Sequence, residues 1–283
     1  DGKPSGLGSQ LASLVESMLL ALQANALFTA EGFRMRYANP LLCAPQSLEC
    51  YFLPLTGCTL AERGPMAQVN VTHTACFEDR FDAEALGRRA GLRRAHSSVW
   101  FRAQVARYVT RPSVPLQRYT AALEARLGLN ESGAYAYAAA VHIRHGDKRE
   151  GGRHAASEYA RQLAFLYHWR HLDTVVLGSD DRAVFAQLPA ELERMGVIAR
   201  VVYVPLDEFI SPVRRGKYKP VAALLRGDGR PNGRALNASE RAAFEFYRSD
   251  ARYARHDEGL SLLAQLALML RCRWFLGTLA SNY

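Results

Sequence analysis

Charged and polar residues are concentrated at the end of a short apolar run near the middle of the chain. Residues 135–143 have the apolar pattern of a buried strand that carries His142, and Gly146 allows the backbone to turn sharply soon afterwards. His142 and Arg144 are two positions apart, so they project to the same side of the strand. The charged residues at this strand end are Arg144, Asp147, Lys148 and Glu150.

Arg144 has the side chain best suited to bind an anion at this point. Its planar guanidinium presents a fork of N–H donors that matches the oxygens of a diphosphate. An arginine at a strand end can equally form an ion pair with a nearby carboxylate such as Asp147. The residues alone leave both interpretations open.

Predicted strands and helices alternate around this cluster. The strands are predicted at 135–143, 174–178, 197–204 and 274–279, and the helices at 157–172, 181–195 and 260–270. Ser157 is the predicted cap of the first of these helices. This alternation is typical of a doubly wound parallel α/β sheet, in which ligands bind outside the carboxyl ends of the strands.

Two more predicted strands end in small polar residues. Gly178-Ser179-Asp180-Asp181 follows the second strand, and Thr278, Ser281 and Asn282 follow the last. Their hydroxyl and amide groups could bind phosphate oxygens. The alternatives are a helix cap formed by Ser179 or Asp180 and an ordinary polar turn. Three polar strand ends in one sheet favour a binding site more than any one of them alone.

The N-terminal half has a different organisation. It has predicted helices at 11–27 and 82–127, the latter interrupted at Pro112 and Pro115, and a segment rich in Cys and Pro between them. A glycine turn that contains Gly8 precedes the first helix and suits either an anion site or a plain helix start. We predict an N-terminal α/β half at 1–133 and a Rossmann-like half at 134–283, with a polar insertion at 206–256. Trp100, Trp169 and Trp274 are predicted core residues.

Composition restricts the class of protein. The net charge is +9, but no long run of Lys or Arg and no known nucleic-acid module occurs, so nucleic acid is not an expected partner. The five cysteines include no CxxC pair, which argues against zinc. Cys43, Cys50, Cys58 and Cys76 fit two local disulfides, and sequons at Asn70, Asn130 and Asn237 also indicate the secretory pathway. We expect a fragment that lacks its leader and at least one C-terminal element, with any membrane anchor outside this chain.

The ordered motifs resemble those of the GDP-fucose-dependent fucosyltransferases, in the group of the α-1,6 enzymes and the rhizobial nodulation enzyme. His142-Ile-Arg144-His-Gly-Asp147-Lys148 is similar to the first motif of that family. The segments 6–11, 178–181 and 275–282 resemble three others, in the same order. The resemblance spans nearly the whole chain, and the first motif is the most specific.

This resemblance implies a GT-B-like enzyme with two Rossmann-type halves. The first half would form the acceptor side, and the second would hold GDP-fucose without a metal or cofactor. Arg144 would bind the β-phosphate and stabilise the leaving GDP, and His142 would contact guanine. The other residues that it assigns to the donor site are Gly8, His145, Asp180, Asp181, Gln265, Thr278, Ser281 and Asn282. Gln265 stands where the family has a guanine-reading carboxylate, and His145 replaces the second Arg of the animal α-1,6 motif.

Inverting transfer requires one general base. The base of the α-1,6 enzymes is a Glu four residues before a His, and Glu150 stands four residues before His154. Glu158 and Tyr159 then complete a His-x3-Glu-Tyr pattern that resembles the spacing of those enzymes. Lys148 would tune the base or relay its proton, and Asp147 completes the predicted catalytic group. The alternative is that Glu150 is a solvated loop charge.

The expected function is transfer of fucose from GDP-fucose to a glycan or glycoprotein hydroxyl with inversion, of the α-1,6 type, in the Golgi lumen. One alternative is a protein O-fucosyltransferase. Another is a non-catalytic module that binds GDP-sugar or glycan. The combination of Arg144, Lys148 and Glu150 argues against that module, because a binder needs no positioned base.

Overall fold

The chain divides into two compact units. A computed structural model describes residues 7–30, 33, 35, 38, 43, 47–56, 81–145, 154–204 and 258–277. The first unit comprises Asp1–Arg36, Pro45–Ser113 and Tyr283, and the second comprises Tyr37–Ala44 and Val114–Asn282. A disulfide joins Cys43 to Cys50, whereas Cys272 is a free thiol. Cys58 and Cys76 lie outside the described residues.

The described part of the first unit is helical. Its helices are α1 (Leu7–Gln23), α2 (Ala83–Arg89) and α3 (Ser98–Val109), with a short 3-10 turn at Leu48–Cys50. Helix α1 packs against α3, and Glu16 of α1 forms an ion pair with Arg102 of α3. An isolated antiparallel bridge joins Phe52 to Pro112. The α/β organisation expected of the N-terminal half stays a prediction.

The second unit is α/β, as the sequence predicts. It contains α4 (Val114–Arg126), β1 (Ala138–Ile143), α5 (Ala156–Arg170), β2 (Thr174–Ser179), α6 (Arg182–Arg194), β3 (Arg200–Tyr203), α7 (Glu258–Met269) and β4 (Trp274–Gly277). All four described strands are parallel and have the order β3-β2-β1-β4, which is compatible with a Rossmann-like fold. Helix α4 packs against α7 and therefore belongs to this unit, although the sequence interpretation assigned residues 1–133 to the first.

Strand β1 lies inside the sheet, between β2 and β4. Ala138, Ala139, Ala140, Val141 and Ile143 are all fully buried. An unbroken apolar run of this kind is typical of a parallel strand that is covered on both faces. The strand order reverses at β1, because β2 and β3 extend the sheet to one side and β4 to the other. The crevice beyond the carboxyl ends of β1 and β4 is therefore the topological switch point, where open α/β sheets bind their ligands.

Some boundaries differ from those predicted. Strand β1 begins at Ala138 rather than at 135, because the preceding residues form turns in which the Tyr135 hydroxyl donates to Glu124 Oε1 at 2.8 Å. Helix α5 begins at Ala156, so Ser157 is not its cap. Glu158 Oε1 instead accepts a hydrogen bond from the backbone N–H of Ala155 at 3.1 Å.

The prediction that Trp169 is a core residue is wrong, since this side chain is 71% exposed. The buried residues of α5 are Ala156, Tyr159, Ala160 and Leu163, which form one stripe at helical spacing. Trp169 lies off that stripe, and so does Phe165, one turn before it. Trp100 and Trp274 are partly buried.

Candidate functional site

The parallel register of β1 and β2 brings Arg144 close to Asp180. Ile143 is paired with Ser179, so Arg144 and Asp180 are the next residues on two adjacent strands. The Arg144 Nε lies 3.8 Å from Asp180 Oδ2, and both side chains are only partly exposed. This distance is longer than a hydrogen bond, and the contact is therefore an ion pair held by charge. The structure thus gives Arg144 a carboxylate neighbour on another strand, whereas the sequence interpretation considered Asp147.

His145 connects three segments at the same edge of the sheet. Its backbone N–H donates to Asp180 Oδ1 at 2.8 Å. Its ring Nδ1 lies 2.9 Å from Asp181 Oδ2, and its Nε2 lies 2.9 Å from the carbonyl oxygen of His154. The side chain is 13% exposed. The end of β1, the β2–α6 turn and the residues before α5 are therefore joined through one imidazole.

Asp181 has a second role as the N-cap of α6. Its Oδ1 accepts a hydrogen bond from the backbone N–H of Ala183 at 2.9 Å. Ser179 Oγ accepts from the backbone N–H of Asp181 at 3.0 Å and so shapes the turn. The cap predicted at Ser179 or Asp180 is therefore provided by Asp181. Asp180 instead faces the side chain of Arg144 and the backbone N–H of His145.

His142 lies on β1 between two glycines. In the register of the sheet it is paired with Gly178 of β2 and with Gly277 of β4. A Cβ placed on Gly178 would lie 3.6 Å from the imidazole of His142, 3.6 Å from Gln265 Nε2 and 3.4 Å from Met269 Sδ. These three side chains therefore lie together over Gly178, on the side of the sheet that α7 covers.

Burial, together with the nearby charge of Arg144, lowers the pKa of His142 to about 3. His142 is therefore neutral at pH 7 and has one ring donor and one ring acceptor. Gln265 is buried, and its Nε2 donates to the carbonyl oxygen of Leu177 at 3.3 Å. That bond orients the amide and leaves its Oε1 as the acceptor that a ligand could use. A neutral imidazole and a carboxamide beside an arginine can recognise a polar heterocycle that is linked to an anion.

The start of α5 carries a second polar group. His154 Nδ1 lies 3.0 Å from Glu158 Oε2, and its ring meets that of Tyr159 edge-on with centroids 6.4 Å apart. The hydrogen bond from His154, with that from the Ala155 backbone, lowers the pKa of Glu158. The carbonyl of His154 connects this group to His145. The His-x3-Glu-Tyr pattern of the sequence is therefore adjacent to the candidate site.

The other predicted site residues are placed as follows. Gly8 lies in the first turn of α1, in the first unit. The residues outside the described part of the chain are Asp147, Lys148, Glu150, Thr278, Ser281 and Asn282. Sequence reasoning missed the contribution of Gly178 and Gly277 as the neighbours of His142. Only the register of the sheet reveals these two neighbours, and the space beside the imidazole lies at Gly178, where a Cβ would be 3.6 Å from the ring.

No family model and no curated protein matches this chain. In the described ranges, no three His, Cys, Asp or Glu side chains come together as a metal site. The helices described for the two units include none with the length and hydrophobicity needed to cross a membrane.

Proposed function

We propose that this chain is the catalytic region of a metal-independent, inverting fucosyltransferase that takes fucose from GDP-fucose. Its architecture would be GT-B-like, with the donor in the second unit and the acceptor on the first. The acceptor would be a glycan hydroxyl, with α-1,6 linkage. The observation that carries the proposal is that His142, Arg144, Asp180 and Gln265 come together at the carboxyl ends of β1 and β2, and β1 also borders the switch point of the parallel sheet.

Arg144 would bind the diphosphate of the donor. Its contact with Asp180 is long, at 3.8 Å, and phosphate oxygens bind an arginine more tightly through two parallel hydrogen bonds. As the bond between the sugar and GDP breaks, negative charge develops on the β-phosphate. A guanidinium already held at that position stabilises this charge without reorganisation.

His142 and Gln265 would read guanine. Guanine offers the acceptors O6 and N7 on one edge and an amino donor on another. The neutral ring of His142 can donate to an acceptor, and Gln265 Oε1 can accept from a donor. An amide accepts less strongly than a carboxylate, so Gln265 would read the base with a neutral hydrogen bond in place of a charged one.

Glu150 would act as general base. It would take the proton of the acceptor hydroxyl while that oxygen bonds to C1 of fucose and GDP leaves from the opposite face, so the anomeric centre inverts. Lys148 would tune the base or relay the proton, and Asp147 would complete the group. This part of the proposal is supported by the order of the motif residues in the sequence.

A protein O-fucosyltransferase is the second candidate, and it is favoured by His145 in place of the second Arg of the animal α-1,6 motif. The His154–Glu158 contact beside Tyr159 favours the glycan acceptor instead, because it follows the spacing of the α-1,6 enzymes. Product analysis with each class of acceptor separates the two. A binding module without turnover would hold GDP and transfer nothing.

The test is calorimetric titration of the full chain with GDP, ADP and UDP. The wild type should prefer GDP, and Arg144→Ala should lose about 1.5–3 kcal/mol of binding free energy, the scale of a charge-assisted hydrogen bond. Arg170→Ala is the matched control, because it removes an exposed cation from the far end of α5. Folded wild type that binds no GDP would remove the donor assignment.

A further inference from the structure

We propose that His145 is a positioning residue that holds the candidate site together as a doubly protonated imidazolium. The resemblance assigned His145 to the donor site. Both ring nitrogens instead face oxygens of the protein. The protonation state does not depend on the proposed function, and only its consequence for GDP binding rests on that function.

The two ring contacts together require two ring protons. Nδ1 lies 2.9 Å from a carboxylate oxygen of Asp181, and Nε2 lies 2.9 Å from the backbone carbonyl oxygen of His154. A carbonyl oxygen only accepts hydrogen bonds, and an ionised carboxylate also only accepts. A neutral imidazole carries only one N–H. Its other nitrogen would then face an acceptor oxygen at hydrogen-bond distance with no proton between the two lone pairs. The imidazolium satisfies both.

The remaining alternative places the proton on Asp181, with a neutral ring as acceptor. A free imidazolium ring loses a proton at about pH 6.5, and the side chain of free aspartic acid loses its proton at about pH 3.9. The imidazole is the stronger base, so the shared proton belongs on the ring. Asp181 is also the N-cap of α6, where the positive end of the helix dipole favours a carboxylate over an acid. Its Oδ1 accepts from the Ala183 N–H, which favours the ionised form further.

The charges around the ring also support a cation. The β2–α6 turn contributes the carboxylates of Asp180 and Asp181, and the start of α5 contributes Glu158 through its contact with His154. Among the described residues, two cations lie close in sequence to these groups, namely Arg144, which precedes His145 at the end of β1, and Arg182, which follows Asp181 at the start of α6. Arg144 is itself paired with Asp180, so its charge is partly neutralised. The ring is also largely withdrawn from water, which strengthens the nearby interactions.

The state of His145 controls the position of Arg144. The two residues are consecutive, and His145 fixes the end of β1 to the β2–α6 turn and to the residues before α5. Loss of one ring proton as the pH rises removes one of the two ring hydrogen bonds and the positive charge together. The site is therefore held most firmly at neutral and mildly acidic pH and loosens under alkaline conditions.

Nitrogen-15 NMR of the histidine side chains in the full chain tests the protonation state directly. The resonances of His145 are assigned by their loss in His145→Gln. We expect both ring nitrogens to carry protons at pH values above the free-histidine value of about 6.5. A single N–H tautomer at or below that value would overturn the proposal.

The pH dependence of GDP binding provides a second test. Between about pH 6.5 and 8.5, the affinity of the wild type for GDP should fall about tenfold more than that of His145→Arg. The arginine keeps its positive charge throughout this range, whereas the wild type loses a charge-assisted hydrogen bond. Titration of the GDP phosphate affects both proteins equally and cancels in this comparison. Identical pH profiles would overturn the positioning role. Failure of every variant to bind GDP would remove the proposed function, and the NMR result would still decide the state of His145.

Discussion

Gly178 lies directly beside His142 in the parallel register of β1 and β2, and a Cβ on this glycine would lie 3.6 Å from the imidazole. The same Cβ would be 3.6 Å from Gln265 Nε2 and 3.4 Å from Met269 Sδ, which are ordinary contact distances. One methyl group therefore fits at this position, and we expect the additional methyl groups of a branched side chain to crowd these three neighbours.

The first prediction concerns this space. Gly178→Ala should change the free energy of unfolding by less than about 1 kcal/mol, because the methyl group fits and the unfolded chain loses some freedom. Gly178→Val should destabilise by about 1–3 kcal/mol, since it overpacks against His142 and Gln265. Urea unfolding measures both. Equal stability of the two variants would contradict the predicted crowding.

The second prediction concerns the pH dependence of stability. His142 has an ordinary pKa of 6.5 and a pKa of about 3 in the fold, so protons bind the unfolded chain more readily. The contribution of His142 to the free energy of unfolding is fully present above about pH 6.5 and is lost as the pH falls toward 3. The free energy of unfolding then changes by at most about 1.4 kcal/mol per pH unit because of this residue. His142→Gln should therefore lose less stability than the wild type on acidification. If the free energies of unfolding of the wild type and His142→Gln fell in parallel from pH 7 to 4.5, His142 would not be buried in the neutral form.

The third prediction concerns base recognition. Gln265→Leu removes the amide acceptor but keeps an apolar side chain of similar size over Gly178. GDP affinity relative to UDP should fall about tenfold, the scale of one lost hydrogen bond in a closed site. Competition binding with the two nucleotides measures the ratio. A ratio that does not change would show that Gln265 is only a packing residue.

The fourth prediction concerns catalysis. Glu150→Gln should reduce fucose transfer by about 10²- to 10⁴-fold, the usual contribution of a general base, while GDP binding is retained. Glu193→Gln is the matched control, because it makes the same change on the exposed surface of α6. Transfer assays and GDP titration are run on the same preparations. Full transfer by Glu150→Gln would assign the base to another residue and leave Glu150 as a loop charge.

The sequence was sufficient to predict the alternation of strands and helices in the second unit. Long apolar runs and β-branched residues indicate strands whatever their neighbours are, so β1, β3 and β4 fall within their predicted ranges and β2 extends only one residue beyond its own, to Ser179. The exposure of Trp169 was not predictable from its apolar surroundings, because the face that α5 buries depends on what packs against it. The first unit has few periodic segments, and its organisation was correspondingly difficult to predict.

The site was only partly predictable for a related reason. The strand ends at Arg144 and Asp180 were identified from their polar residues, but their contact depends on the pairing of β1 with β2. Strand order and register are long-range properties that no local pattern specifies. The role of His145 was also hidden, because the carbonyl group that it meets belongs to the backbone of His154 and has no signature in the sequence.

The central position of β1 has a consequence for how the protein folds. Of the four strands in the described ranges, β4 is the last along the chain, yet it pairs with the first. Contacts between distant parts of a chain form slowly, because a large loop must close before they stabilise anything. We therefore expect β1, β2 and β3 to assemble first and β1 to remain an open edge until β4 arrives. The crevice beside His142 would be completed at the end of folding, so a chain that stopped before β4 would keep Arg144 and Asp180 and still have no switch point.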